Sequence, residues 1–516
     1  MNGDELSPQI RIPLSIALIT GYFLALFNAG AYNAVNPHAM GAFGVSPSHG
    51  PWTMADFFAA QALGLILGPS LAERLGPLRG FRWAIRTIVA GSLLCAAAPS
   101  FLPFLVGRIL QGIGSGVAVP LAQTLLLASH PTERRPIVAS FWSMAGLAPY
   151  SLSPLVGAWM EAQWGWRSWF LVNGPLLLFV GEACALLAPH PPAAKTHRWD
   201  WVGALLLTGA ILSFQSALNL GDDYDWYNSP LVVGLLAGGL VGLAYFVVWE
   251  LGELHPLIDL RLFLRSGFSL GIFTLSIGFF FFFGLWTTLL VRLQLPGFGG
   301  FTSLLAAEIF LPLFVFSKPA AGLLAQAPPW IQLRLIACAT FLLFSLFSWL
   351  SSSYDFFQRR SWFFPLLGTQ LLEGLCLGTF LRPMNGLMVA GLSPRKQLYA
   401  LELGTAFRTL ACGLGIDGIG SLLYQRSAFA QSRLAETFPP FGSLTEETGQ
   451  RLTESGMSDA EALAWLTRRL NLHANILSLE DAFRFAAWAF LALAGAVALV
   501  PLFRWGRRWL LGRETA

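Results

Sequence analysis

The stretch FLVGRILQGIGSGVAVPLAQ, residues 104–123, is apolar enough to sit in hydrocarbon yet carries a single charge, Arg108. Twenty helical residues cover about 30 Å, the thickness of a bilayer's apolar core. Blocks of this length recur along all 516 residues. Charged residues make up 12% of the chain and hydrophobic ones 55%, against about 25% charged for a soluble domain. The first block, IPLSIALITGYFLAL from residue 12, lacks a small-residue cleavage site and is followed by many similar blocks, so it reads as a span rather than a signal peptide. The chain is therefore expected to be an all-α, polytopic membrane protein.

Fourteen spans are expected, roughly 12–35, 51–70, 83–99, 102–128, 136–160, 168–188, 201–220, 229–250, 266–290, 302–325, 331–351, 362–390, 399–424 and 482–505. An even count puts both termini on one side. Loops on that side hold Arg74, Arg79, Arg82, Arg134, Arg135, Lys195, Arg198, Arg261, Arg265, Arg395 and Lys396. The opposite short loops hold only Arg167, Arg292, Arg359 and Arg360, and one is the acidic GDDYDW. The positive-inside rule thus predicts cytoplasmic termini. The long outer segment 425–480 contains SDAEALAWLTRRLNLHANIL, which reads as an amphipathic helix. Proline-rich, charged stretches after spans six and eight divide the chain into 1–190, a linker and helix pair over 191–265, and 266–516.

Several chemistries are disfavoured. The five cysteines all fall in apolar blocks without metal-ligand or CxxC spacing, and the seven histidines are scattered, so no metal is expected. Without a GK[ST] phosphate loop, ATP hydrolysis by this chain is not expected. No Ser/His/Asp set suggests an enzyme, no cofactor is implied, and the net charge of +4 is spread over short loops, giving no basic face for nucleic acid.

Ionisable side chains at membrane depth are costly and tend to face a cavity or a partner. Asp56, Arg108, Glu182, Glu308, Glu373 and Arg408 are such residues, with a span-end position reaching the interface as the plain alternative. Arg108, Gln111 and Gly112 share a helix face, and Gly112 and Gly116 are spaced for close helix approach. In WSMAGLAPYSLSPLVGAWM of span five, Gly146, Pro154 and Gly157 allow either a hinge or ordinary tight packing. In GPSLAERLGPLRGFR, Glu73, Arg74, Gly76 and Arg79 form either a latch between helices or a solvated turn. At the end of span one, Asn28, Tyr32 and Asn36 lie on a common arc with Asn33 at its edge, and they are expected to line a polar cavity without titrating. Asp56 is the first candidate for a proton carrier and Glu308 the second, with Arg108 a further candidate for proton coupling. Arg292 is near enough in topology to pair with Glu308. The 42 phenylalanines and 19 tryptophans favour a pocket for hydrophobic or amphipathic molecules, of undecided charge.

These motifs together resemble the fourteen-span drug:proton antiporter family of the major facilitator superfamily. LAERLGPLR is similar to its loop motif between spans two and three, GRILQGIG to its span-four motif and LSPLVGAW to its span-five exporter motif. WRSWFLVNGP, DWVG, DWYNSP, WELGELHPLIDLRLF and FRTLACGLG match further stretches of its pattern. The resemblance implies two six-helix bundles plus an inserted helix pair, and alternating-access export of small molecules against protons. It also implies a bacterial inner-membrane location and a periplasmic adaptor meeting the long outer loop. Departures bear on coupling: Asn28 stands where the family's span-one aspartate is expected, Gly30 where its threonine is, and GLLAQAPPW has lost the charges of the second loop motif. A proton-independent facilitator or importer, or a non-transporting sensor or scaffold, therefore stands as the rival expectation.

Overall fold

A computed structural model describes residues 7–188, 200–295, 298–325, 332–354, 363–437 and 442–511. Lys195, Arg198, Arg359, Arg360 and most of the proline-rich linker and of GLLAQAPPW lie outside them. Among the described residues every regular element is helical. The order is α1 (Pro8–Phe43), α2 (Trp52–Leu75), α3 (Pro77–Ala97), α4 (Phe101–Ala128), α5 (Arg135–Trp164), α6 (Ser168–Leu187), α7 (Trp201–Gly221) and α8 (Pro230–Gly252). It continues with α9 (Ser266–Gln294), α10 (Ser303–Ile309), α11 (Leu311–Ala325), α12 (Leu333–Ser351), α13 (Phe363–Val389), α14 (Pro394–Thr437), α15 (Ser443–Glu454) and α16 (Asp459–Leu511).

Helices thus occupy all fourteen expected spans, and eleven of the segments are long and apolar enough to cross a membrane by those criteria alone. Prolines at the first turn open α1, α3 and α8, where the missing N–H has no partner to lose. Gly76, at φ +81°, turns α2 into α3 within one residue, a conformation that a side chain disfavours. Span ten is broken rather than continuous. Phe310 separates α10 from α11, and Pro312 cannot donate to the carbonyl of Glu308.

Small residues let the helices approach. A Cβ on Gly112 would overlap the Phe57 carbonyl oxygen, and one on Gly116 that of Gln61, so α4 seats directly on α2. A Cβ on Gly157 would overlap the Ala31 oxygen, and one on Gly30 the Ser153 hydroxyl with Pro154 beside it, which does the same for α5 on α1. Packing therefore accounts for Gly112, Gly116, Pro154 and Gly157. Helices α1 to α6 pack on one another, as do α9 and α11 to α16, and the two groups meet through α2 with α14, α1 with α9, and α5 with α10 and α11. The pair α7 and α8 packs on itself, and α7 also touches both α2 and α14.

Below, the near side is the membrane face from which α1 starts, and the far side is the opposite face. Span thirteen does not end where its hydropathy does. Helix α14 runs for 44 residues, about 66 Å, and so extends well past the far side. It pairs there with residues 471–481 of α16 through Arg426–Asp481 (2.5 Å), Gln431–Asn471 (2.7 Å) and Ser427–Asn475 (3.2 Å). The expected amphipathic helix is the beginning of α16, and the outer segment is largely a helical hairpin.

Candidate transport cavity and a buried carboxylate pair

A cavity of about 320 Å³ lies between the two helix groups in the near-side half. On one side Tyr22 and Trp142 stack at 3.7 Å, with Phe58, Gln61 and Gln123 beside them. Phe279, Phe282 and Phe283 of α9 face them, with Asn385 of α13 and Glu402 and Arg408 of α14. The Arg408 guanidinium stands 5.3 Å from the centre of the Phe279 ring. Glu402 also lines a second cavity at the near-side loops, with Glu73, Asp200, Glu250 and Asp259. Above the first cavity the helices close: a Cβ on Gly413 would sit 2.8 Å from the Ala55 oxygen, and one on Gly420 would touch Pro51. His38 and Ser303 both reach Glu161, at 3.5 Å and 2.5 Å, joining α1, α10 and α5 at the far side.

Of the residues expected to line a cavity, Arg408 lines the first one, joined by Gly146 from the gating set, while Glu73 of that set lines the second. The arc at the end of span one is instead internal to the first helix group. Asn28 accepts from Trp169 Nε1 (3.2 Å) and Asn173 Nδ2 (2.7 Å). Tyr32 donates to Asn36 (3.0 Å), and Asn36 donates to the Gly50 carbonyl (3.1 Å), tying α1 to the start of α2. Asn33 is fully buried with neither amide atom partnered. Residues 28–36 lie in the far-side half of α1, where the helices are packed together.

Arg108 is likewise enclosed. Its guanidinium donates to the carbonyls of Asn28 (3.3 Å) and Thr53 (3.4 Å) and to Gln111 Oε1 (2.8 Å), between the rings of Tyr32 and Phe57 at 4.6 Å each. Gln111 passes its own N–H to Ser92 (2.8 Å). Carbonyl dipoles and aromatic faces replace water around this cation. It therefore holds α1, α2 and α4 together, and among the described residues it forms no salt bridge with an acid.

The expected Arg292–Glu308 pair does not form. Arg292 donates to Asn475 of α16 (2.7 Å) and covers Phe298, while Glu308 is exposed on the short α10. Glu308 therefore points away from the packed interior, so it is not the buried acid the sequence suggested. At the near side Glu73, Arg74 and Arg79 are exposed, and Arg74 lies 5.5 Å above the Trp201 ring of α7. Glu182 takes the plain reading, in surface ion pairs with Arg82 (2.5 Å) and Arg86 (2.8 Å). Glu373 is buried on α13 and lines neither cavity.

Asp56 is buried on α2 and accepts from Asn219 Nδ2 of α7 (3.1 Å). One helical turn earlier, Gln215 donates to Asn219 Oδ1 (3.3 Å) and to Asp417 of α14. Sequence reading passed over this second acid, although a lone aspartate in GLGIDGIG of span thirteen satisfies the rule that singled out Asp56. The amides of α7 carry no sequence signal of their own. Only the fold brings the inserted helix between the two groups.

The sequence model described as Major Facilitator Superfamily matches residues 18–416. The chain belongs to the major facilitator superfamily. Within that superfamily it is 28% identical over 496 residues to the fatty acid resistance protein FarB of Neisseria gonorrhoeae, covering 96% of this chain and 97% of FarB. It is 26% identical to the multidrug export protein EmrB of Escherichia coli (strain K12), over 94% of each. Among solved structures, a bacterial homologue of the human lysosomal transporter Spinster superposes with a TM-score of 0.61 at 16% identity, over 96% of this chain and 97% of that one. A POT family transporter in complex with 5-aminolevulinic acid also gives 0.61, at 13% identity over 94% of this chain and 95% of that one. These structural likenesses support the superfamily fold.

Proposed function

We propose that this superfamily member is a secondary exporter of hydrophobic and amphipathic small molecules, with amphipathic carboxylates foremost. The observation carrying this reading is Arg408, a cation set among Tyr22, Trp142, Phe58, Phe279 and Phe282 in a cavity on the near side. Among the described residues it forms no salt bridge, so its charge is available to an anionic head while the rings take an apolar tail. The names of FarB and EmrB, a fatty acid resistance protein and a multidrug export protein, agree with such a ligand and with export. On this reading the near side is the cytoplasm, by the excess of arginine and lysine in its loops, and the membrane is the inner membrane of a bacterial cell, as the bacterial relatives suggest. The closed far face then makes this the inward-facing state.

Export follows by rocking of residues 1–190 against 266–516, which closes the cavity below and opens it above. Protons are the driving species on this reading, and Asp56 is the acid best placed to meet them, with Asn28 unable to titrate. The far-side hairpin, with Phe429, Leu463 and Trp465 exposed, is the surface proposed for a periplasmic adaptor. Direction of flux tests the function. Everted membrane vesicles containing the protein should accumulate a radiolabelled long-chain carboxylate once their interior is acidified, and a proton uncoupler should abolish the accumulation. Uptake only into right-side-out vesicles would establish the importer instead.

A further inference from the structure

Asp56 and Asp417 sit on opposite helix groups, on the two helices whose contact closes the far face. Both are buried, and the chain Asp56–Asn219–Gln215–Asp417 joins them through α7. In this cluster acceptors outnumber hydrogens. The two amides donate to Asp56 Oδ1, Asn219 Oδ1 and Asp417, yet Asp417 Oδ1 and Gln215 Oε1 have no partner. Those two side chains are 3% and 4% exposed, and buried acceptors are rarely left without a donor. What the cluster lacks is a hydrogen.

We propose that Asp56 and Asp417 form one proton-binding unit that closes the far face, with Gln215 and Asn219 of the inserted helix as its bridge. The proposal rests on the transport reading above only for which compartment supplies the proton. One proton from far-side water joins a carboxylate of the pair, removes the repulsion between two enclosed charges, and lets α2 and α14 come together. With the far face closed the proton leaves on the near side, and the restored repulsion reopens the far face, where α7 follows one group and loses its bond to the other.

Surrounding charges do not supply this role. Asp222, at the end of α7, acts on Asp417 electrostatically with the same sign as Asp56. His49 is engaged with Asp223 at 2.7 Å at the far surface. Arg108 lies on the Thr53, Met54 and Phe57 side of α2, whereas Asp56 faces α7. Arg408 is nine residues before Asp417, about 13.5 Å along α14. Cys412, between them, lines the cavity.

The test reads the far face without substrate or flux. Spin labels at Ser100→Cys and Ala428→Cys, both exposed on the far side, report the separation of the two groups in the full chain in nanodiscs. Lowering the pH from about 8 to about 5 should shift the population from the long to the short distance, by up to tenfold per pH unit for one proton. Asp417→Asn and Asp56→Asn should each hold the short distance at both pH values. Asn219→Leu keeps both acids but cuts the bridge, and should move the pH midpoint. A distance insensitive to pH in the wild type overturns the proposal. So does a pH response that survives Asp417→Asn, or an unmoved midpoint in Asn219→Leu should the aspartate variants not fold. A pH-gated far face in a protein that exports nothing would reject the transport reading alone.

Discussion

Arg408→Gln should lower export of an amphipathic carboxylate by roughly 10- to 150-fold, the equivalent of about 1.5–3 kcal/mol for one charged hydrogen bond. Arg408 is the only cation among the described residues lining the aromatic cavity. Glutamine keeps a polar donor on a shorter side chain but removes the charge, so an uncharged amphiphile of the same tail should be moved nearly as well as by the wild type. Arg408→Lys should recover most of the carboxylate flux, less whatever depended on the flat guanidinium. Initial rates in everted vesicles for the matched pair of compounds provide the measurement. Equal losses for both would mean that Arg408 supports the helix and does not read the substrate.

Gly116→Leu should leave no folded protein, and Gly116→Ala should cost about 1–3 kcal/mol, because the new carbon meets a backbone oxygen on α2 that has no rotamer in which to escape. The neighbouring contact is reciprocal, since a Cβ on Gly64 would overlap the Ile113 oxygen. Gly209→Ala on α7 provides the contrast: nothing lies near its Cβ, so a helix-favouring methyl should be neutral or add about 0.4–1 kcal/mol. Thermal unfolding of the purified variants in detergent separates them. Equal melting temperatures would show that close approach of α2 and α4 is not what holds the first group together.

Span lengths follow from bilayer thickness, so residues such as 104–123 declare themselves, and glycine spacing announces helix contact at Gly112 and Gly116. Hydropathy stops at residue 424 because lipid stops there, but nothing in lipid ends a helix, and α14 continues to Thr437. Side-chain direction depends on tertiary packing. Asn28, Tyr32 and Asn36 share an arc, yet which half of the bundle is open decides whether that arc meets solvent or other side chains. Glu308 sits in an apolar run, yet its face of α10 is exposed. Asp417 was visible in the letters, while its bridge to Asp56 through α7 depended on tertiary packing that no local pattern encodes.

Photolabelling addresses the central claim, that the near-side cavity around Arg408 holds the exported molecule. A long-chain carboxylate with a photoreactive tail is bound to the purified protein, illuminated, and the adducts mapped by mass spectrometry. The predicted result is labelling at Tyr22, Trp142 and the residues 279–283, suppressed by excess unlabelled carboxylate and lost in Arg408→Gln. Labelling confined to lipid-exposed positions such as Phe179 or Leu186, indifferent to competitor, would contradict it.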